Sequence, residues 1–168
     1  MTDVTTTPAR GRSSRSGGLT ELKGRYLETV QLMDRLHRQF LDLVQGALDQ
    51  DRVDDVNAIQ GLIVHAIGPD EVLVGDLIQR GYYVGTNVSY NVHKLVDAGY
   101  LTQMRSSHDK RALKLRLTAK GLRLRERLDG VFDAHIRELE AGAMIDELAQ
   151  ASGVLRSISD FWLRLRTA

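Results

Sequence analysis

Apolar residues recur at intervals of three and four from Leu22 to Leu48, which is the spacing of an amphipathic helix. They are Leu22, Tyr26, Val30, Met33, Leu36, Phe40, Val44 and Leu48. Thr20 is an acceptable N-cap with Glu21 in the first turn, so we expect order to begin near Leu19. A helix of about thirty residues is ~45 Å long, which is more than the diameter of a small domain. It therefore needs a partner surface.

A second apolar helix follows, between candidate capping residues and a glycine-proline stop. Asp54, Asp55 and Asn57 each offer an N-cap for this helix. Gly68-Pro69 ends it, because proline cannot continue a helix and the residue before proline avoids the α region. Its apolar residues are Ile59, Leu62, Ile63, Ala66 and Ile67.

The next segment combines short elements with a β-hairpin. We predict a short strand at 72–74, a short helix at 75–80 and a longer helix at 86–98, which Gly99 ends as a C-terminal glycine. The apolar face of the longer helix carries Val88, Val92, Leu95 and Val96. After it, Leu113, Leu115 and Leu117 alternate with Lys114 and Arg116. This period of two predicts a hairpin, Tyr100–Arg105 with Ala112–Leu117, that has one buried and one cationic face.

This order of elements predicts a mainly α fold with a small β-hairpin wing, a winged helix-turn-helix between long N- and C-terminal dimerisation helices. Thr118 caps a helix that runs to about Glu140, and a last helix begins at Met144 or Ile145. The predicted domains are a disordered basic tail (1–18), an N-terminal dimerisation helix (19–52), a DNA-binding domain (53–121) and C-terminal dimerisation helices (122–168). The tail is rich in Thr, Ser, Gly and Arg, and its arginines either contact DNA phosphates or are simply solvated.

Positive charge is concentrated in the winged segment. From Arg80 to Arg127 there are 11 Lys and Arg against 3 Asp and Glu, whereas the remainder holds 12 basic and 19 acidic residues. The whole-chain charge of +1 therefore conceals two parts of opposite sign. Clustered positive charge on one module is the electrostatic signature of nucleic-acid binding.

The helix at 86–98 is the candidate recognition helix, because the second helix of a helix-turn-helix enters the major groove. With its apolar face inward, we expect the outer face and its first turn to carry the DNA-contacting side chains. These are Thr86, Asn87, Ser89, Tyr90, Asn91 and Lys94, with His93 at the margin. Asparagine pairs with the adenine edge, and tyrosine or serine contacts phosphate. The alternative is an ordinary polar helix face.

The hairpin tip, residues 107–111, is predicted to contact DNA beside this helix. Arg111 is planar and permanently charged, which suits the negative potential of the minor groove. Lys110 and Arg105 are further candidate DNA contacts. Asp109 is expected to form a salt bridge with an arginine and so to orient the wing.

These residues together resemble the MarR family of winged-helix transcriptional regulators. The similarity lies in Val88-Ser89, Leu95, Ala98-Gly99-Tyr100-Leu101, Asp109-Lys110-Arg111, Leu115 and Leu117-Thr118-Ala119-Lys120-Gly121. They include the family's Asp-x-Arg wing signature and its Leu-Thr-x-x-Gly helix start. The segment Gly81–Asn91 is also similar to that of alphaproteobacterial regulators associated with cell-envelope remodelling.

The resemblance implies a homodimer, held by the terminal helices, that binds a pseudo-palindromic operator in double-stranded DNA. It implies that Arg111 contacts the minor groove while Asp109 fixes the wing. The family's recognition-helix arginine has no exposed equivalent here, so Tyr90, Asn91 and Lys94 must contribute more. A small-molecule effector is a further expectation of the family. Its candidate pocket residues are His65, Tyr82 and Tyr83, for which packing in or near the core is the alternative.

Other chemistries have little support in the sequence. The chain has no cysteine, which excludes a thiol-based redox switch, and its histidines lack the spacing of a metal site. We expect no metal, cofactor or enzymatic activity, because no catalytic constellation appears. No apolar run is long enough to span a bilayer, so we expect a cytoplasmic protein. Two alternatives to specific regulation stay open: a non-specific architectural DNA-binding protein and a winged-helix protein-interaction module.

Overall fold

A computed structural model of the chain describes residues 13–79, 86–105 and 113–167. Its elements are α1 (Ser13–Gln50), α2 (Ala58–Ile67), β1 (Val72–Leu73), α3 (Val74–Gln79), α4 (Thr86–Asp97), β2 (Leu101–Arg105), β3 (Leu113–Leu117), α5 (Ala119–Ala141) and α6 (Ile145–Thr167). The order of elements expected from the apolar pattern is therefore confirmed. Predictions that fall between these ranges or at the two termini lie outside the described residues.

The start of α1 differs from the prediction. Composition predicts a disordered tail as far as Gly18, but Ser13–Gly18 are helical. No proline interrupts this segment, and glycine costs a helix only about 1 kcal/mol. Once a long helix has nucleated, adding a turn costs little, and α1 continues toward the N-terminus through these residues.

Side-chain caps determine where α2 and α5 begin. Asn57, one of the three candidates, caps α2: its side chain accepts from the Gln60 N–H at 2.9 Å. The Gln60 side chain in turn accepts from the Asn57 N–H at 3.0 Å, which completes a capping box. Thr118 caps α5 as predicted, since its hydroxyl accepts from the Gly121 N–H at 3.1 Å.

The wing belongs to a three-stranded antiparallel sheet in the order β1-β3-β2. The hairpin pairs Leu101 with Leu117 at its base and Arg105 with Leu113 toward its tip. The short strand β1 adds to the other edge of β3, with Val72 opposite Leu115. The sheet is thus one strand larger than the predicted hairpin.

The hydrophobic core lies where α2 packs against α4, α5 and β3. Its most completely buried side chains include Ile63, Val64, Leu77, Val88, Leu95, Leu101, Leu115 and Leu128. They come from helices and strands far apart in the chain, so this core fixes how α4 is held against the sheet.

The chain divides into two compact units, Met1–Gly46 and Ala47–Ala168. In the first, α1 exposes a row of large apolar side chains: Leu19, Leu22, Tyr26, Leu27, Leu32, Leu36, Phe40 and Leu43. In the second, α6 does the same with Leu148, Val154, Leu155, Phe161, Leu163 and Leu165. Among the described residues, no helix is both long and apolar enough to cross a membrane.

Candidate nucleic-acid interface

The apolar face of the helix α4 packs into the hydrophobic core, as predicted. Val88, Val92 and Leu95 are all nearly inaccessible to solvent. On the opposite side Ser89, His93 and Lys94 are exposed, and Tyr90 retains 61% of its accessible surface. The Lys94 Nζ lies 5.8 Å from the centre of the Tyr90 ring, a cation–π distance that joins these two side chains on the outer face.

Asn91 is not on that outer face, and its predicted exposure is wrong. The residue is 7% exposed, and its Oδ1 accepts a hydrogen bond of 3.2 Å from the Gln60 Nε2. The helical spacing explains this: Asn91 lies three residues after Val88 and four before Leu95, on the same stripe as the core positions. A buried amide is tolerable here because Gln60 supplies its hydrogen bond.

The other predicted DNA contacts divide into described and undescribed residues. Thr86 and Asn87 form the first turn of α4 by their backbone, but their side chains lie outside the described set. Arg105 ends β2 and is exposed, as are Thr102, Gln103 and Met104 before it. Lys110, Arg111 and Asp109 lie in the gap between β2 and β3, outside the described residues.

Ion pairs reduce the positive charge that the sequence count indicated. Several cations of the winged segment bind carboxylates located elsewhere in the chain. The pairs are Lys114–Glu71 at 3.0 Å, Lys120–Asp55 at 2.5 Å, Arg125–Asp129 at 3.5 Å and Arg127–Asp51 at 3.6 Å. On the cationic face of the hairpin, Lys114 therefore has a counter-ion, whereas Arg116 has none among the described residues. Most of these pairs join residues distant along the chain, so no local pattern indicates them.

The wing base, formed by Asp55, Tyr100, Thr118, Lys120 and Gly121, anchors the hairpin to α5. The Tyr100 hydroxyl donates to Asp55 at 2.7 Å, while the Lys120 Nζ donates to Asp55 and lies 4.1 Å from the centre of the Tyr100 ring. The Thr118 hydroxyl donates to the Gly99 carbonyl at 2.6 Å. These contacts fix both ends of the hairpin at its base.

Gly121 explains the glycine of the Leu-Thr-x-x-Gly signature. A Cβ on this residue would overlap the Tyr100 carbonyl oxygen, far inside van der Waals contact. Gly99 serves the same junction differently, since its φ of 76° lies in the left-handed region that favours glycine.

The carboxylate at the wing base shifts the acidity of its partners. Burial alone would raise the pKa of Asp55, but hydrogen bonds from Lys120 and Tyr100 and the charge of Lys120 together lower it below its usual value. Burial, followed by the hydrogen bond to Asp55, raises the pKa of the Tyr100 hydroxyl well above its ordinary range. The tyrosine therefore stays a neutral donor to an ionised carboxylate.

His65 has structural partners on α5. Its Nε2 lies 2.8 Å from Asp129 Oδ1, and its ring meets Phe132 edge to face with centroids 5.0 Å apart. This favours the packing interpretation over the effector pocket. The other two residues of that prediction, Tyr82 and Tyr83, lie outside the described residues.

A cleft of about 290 Å³ is present elsewhere, at the wing base. Its walls come from the loop after α1, from Tyr100 just before β2 and from the first turns of α5. Across the described ranges, no group of three or more His, Cys, Asp or Glu side chains is arranged to hold a metal ion.

Comparison with known proteins connects this geometry to DNA binding. Residues 56–121 match the winged helix DNA-binding domain family. ExpG of Rhizobium meliloti, the exopolysaccharide II synthesis transcriptional activator, is 38% identical over 99 residues, which cover 59% of this chain and 51% of ExpG. The chain thus spans about half the length of that curated relative.

Two solved structures bound to DNA share the fold. FabT of Streptococcus pneumoniae in complex with DNA has a TM-score of 0.65 and 20% identity, covering 83% of this chain and 99% of FabT. A mutant MarR of E. coli complexed with operator DNA has a TM-score of 0.65 and 19% identity, covering 80% and 95%. Residues 56–121 therefore match the winged helix DNA-binding domain family, and the chain has the fold of FabT and MarR.

Proposed function

We propose that this chain is a sequence-specific transcriptional regulator that binds operator DNA as a homodimer. The observation that carries the proposal is the arrangement of α4, where Val88, Val92 and Leu95 are buried while Ser89, Tyr90 and Lys94 face outward. An exposed helix face of this chemistry, beside a wing and within a matched winged helix domain, suits insertion into the major groove.

The outer face of α4 divides naturally into base and backbone contacts. Lys94 and Tyr90 offer a cation and a hydroxyl for phosphates, while Ser89 is short enough to approach base edges. Arg105 and Arg116 are exposed on the hairpin and attract the same polyanion electrostatically. The role proposed for Arg111 is insertion into the minor groove, with Asp109 orienting the wing, as the family resemblance implies.

Exposed apolar side chains support the homodimer. The rows on α1 and α6 expose large residues such as Leu36, Leu43, Leu148 and Phe161 to solvent in the single chain. Monomeric proteins rarely leave contiguous apolar faces of this kind uncovered. A second copy of the chain is the proposed cover, and two-fold symmetry would then place two recognition helices about 34 Å apart, one turn of DNA.

The proposed target genes concern the cell envelope. ExpG is an activator of exopolysaccharide II synthesis. The segment Gly81–Asn91 separately resembles that of regulators associated with envelope remodelling. The sequence leaves both repression and activation open, while the likeness to ExpG favours activation, so transcript levels in a deletion strain decide the direction. Response to a small-molecule effector remains a prediction.

The test begins with genome-wide mapping of bound DNA, followed by gel-shift titration of one mapped operator. A shuffled duplex of the same length and composition is the control, with salt held constant. We expect the operator to bind at least about a thousandfold more tightly than the control. A ratio near one would identify an architectural DNA-binding protein, and no affinity even at low salt would identify a protein-interaction module.

A further inference from the structure

The cleft at the wing base is rich in basic side chains. Its charged walls are Arg52, Lys120, Arg123 and Arg127 together with Asp51 and Asp55, while the Tyr100 ring and Leu124 provide apolar surface. At about 290 Å³ it lies just below the usual range for drug-sized ligands, ~300–1,000 Å³, and suits a small metabolite or inorganic ion.

Internal pairing leaves two of these cations available. Lys120 binds Asp55 and the Ala98 carbonyl, and Arg127 lies 3.6 Å from Asp51. Both acidic side chains of the cleft therefore already have counter-ions. The guanidinium groups of Arg52 and Arg123, by contrast, have no hydrogen-bond or ion-pair partner within the described part of the chain. Guanidinium groups without a carboxylate partner can bind the two oxygens of an oxyanion at once.

The backbone of Arg52 provides a second, independent observation. Its φ of 56° lies in the left-handed region, where glycine is the usual residue. Its N–H donates to the Asp49 carbonyl at 3.1 Å, and the next N–H, of Val53, donates to the Leu48 carbonyl at 2.9 Å. This is a Schellman-type helix end, which would form more easily with glycine. The chain instead carries an arginine there, and that arginine lines the cleft.

The cleft lies away from the surface proposed to contact DNA. It adjoins the base of the hairpin, near Tyr100 and Lys120, whereas Arg105, a proposed DNA contact, lies at the other end of β2. Strands rise ~3.3 Å per residue, so β2 separates the base of the hairpin from Arg105 by about 13 Å. Lys120, which lines the cleft, also donates to the carbonyl of Ala98, just past the C-terminal end of α4.

We propose that this cleft is a binding site for a small oxyanion, a phosphate or carboxylate group, held between the guanidinium groups of Arg52 and Arg123. The site is distinct from the DNA-contacting surface. It does not depend on the proposed regulatory function, because its occupancy is measurable without DNA.

The experiment is titration of the full chain with inorganic phosphate, and in parallel with citrate as the carboxylate probe. Calorimetry reports the binding of both probes, and phosphorus NMR line broadening reports the binding of phosphate. Sodium chloride added to equal ionic strength is the blank. We expect saturable binding of at least one probe, with a dissociation constant on the order of 1–10 mM. Failure of both probes to bind above the blank would overturn the proposal.

Two variants test the residues. Arg52→Gly removes a guanidinium and installs the residue that adopts this φ without strain, so it should fold at least as stably as the wild type. We expect it and Arg123→Gln each to weaken binding about fivefold or more, because each removes a charge-assisted contact. Arg137→Gln, an exposed arginine farther along α5, is the matched control and should bind within about twofold of wild type. Equal weakening by all three variants would mean only general charge attraction and would contradict a site.

A measurement of operator affinity distinguishes a site for a small anion from a contact with a DNA phosphate. Without added phosphate, Arg52→Gly should leave operator affinity unchanged at fixed salt. A loss of operator affinity comparable to its loss of phosphate binding would instead assign the cleft to the DNA backbone and overturn the proposal. If the wild-type protein did not bind operator DNA, only the proposed function would be contradicted, because the anion titration contains no DNA.

Discussion

Gln60 donates a buried hydrogen bond of 3.2 Å from its Nε2 to the Oδ1 of Asn91, joining α2 to the inner face of α4. The same Gln60 side chain accepts from the Asn57 N–H, so the cap of α2 fixes which way its amide points. The capping box of α2 thereby orients the hydrogen bond that holds α4 in position. We therefore expect Asn91 to affect DNA binding only through the position of α4.

We expect Asn91→Ala to lower the free energy of unfolding by about 1–3 kcal/mol, because the buried Gln60 amide loses its acceptor. Urea denaturation followed by circular dichroism measures this. Lys94→Ala, on the exposed side of the same helix, should change stability by less than about 0.5 kcal/mol. If Asn91→Ala were as stable as Lys94→Ala, the buried hydrogen bond would not matter for the fold.

Lys94→Ala should instead act on DNA affinity. If Lys94 binds a phosphate, its loss weakens binding uniformly across sequences and reduces the salt slope by about one. Gel-shift titrations at several salt concentrations give both quantities. An unaltered slope would exclude a phosphate contact by this lysine.

Arg111→Ala is expected to weaken operator binding by about 1–3 kcal/mol, since a desolvated arginine in the minor groove loses its contact. Fluorescence anisotropy at fixed salt is the measurement. Arg137→Ala, on the exposed surface of α5, is the control for the loss of one positive charge. Equal affinities for the two variants would contradict the assigned role of Arg111.

Two glycines of α5 should respond oppositely to alanine. Gly121→Ala places a Cβ on top of the Tyr100 carbonyl oxygen, and we expect a loss of about 3 kcal/mol in unfolding free energy. At Gly130 the position that a Cβ would take has no neighbouring atom within 4 Å, so Gly130→Ala should stabilise the helix by about 0.5–1 kcal/mol. Thermal melts of both variants measure the difference, and similar melting temperatures would refute the close approach.

The wing base should make stability depend on pH at both extremes. The pKa of Asp55 is lowered in the folded chain, so its contribution is present above the unfolded value of about 3.9 and is lost as pH falls below it. The pKa of Tyr100 is raised, so its contribution is present below about pH 10 and is lost as pH rises further. Unfolding free energies of wild type, Asp55→Asn and Tyr100→Phe across pH measure both effects. Curves that stay parallel to wild type below pH ~4 and above pH ~10 would contradict them.

The protein should be a dimer at micromolar concentration, because a second copy would bury the exposed apolar side chains of α1 and α6. Light scattering measures the mass. Leu155→Glu places a charge among the exposed apolar residues of α6 and should increase the monomer fraction, whereas Gln150→Glu at an exposed polar position of that helix should not. A wild-type monomer would refute the homodimer.

Local patterns predicted most of the fold. Apolar spacing located α2, α4 and the hairpin. Gly99 marked the end of α4, and Thr118, within the Leu-Thr-x-x-Gly signature, marked the start of α5. These features depend on residues a few positions apart, so they can be read without knowing what packs against them. The same local reasoning fails at Ser13–Gly18, where composition predicts disorder and the helix continues.

The tertiary structure decided which polar residues are available to a ligand. Helical spacing is consistent with Asn91 on the buried stripe of α4, but only the fold shows that Gln60, 31 residues earlier, is its hydrogen-bond partner. The ion pairs of Lys114 with Glu71 and Lys120 with Asp55 likewise join residues 43 and 65 positions apart. Sequence periodicity determines which side of a helix or strand a residue occupies, but only packing brings a distant side chain into hydrogen-bonding distance. That long-range contact determines whether a polar group is paired inside the fold or left to bind DNA or an anion.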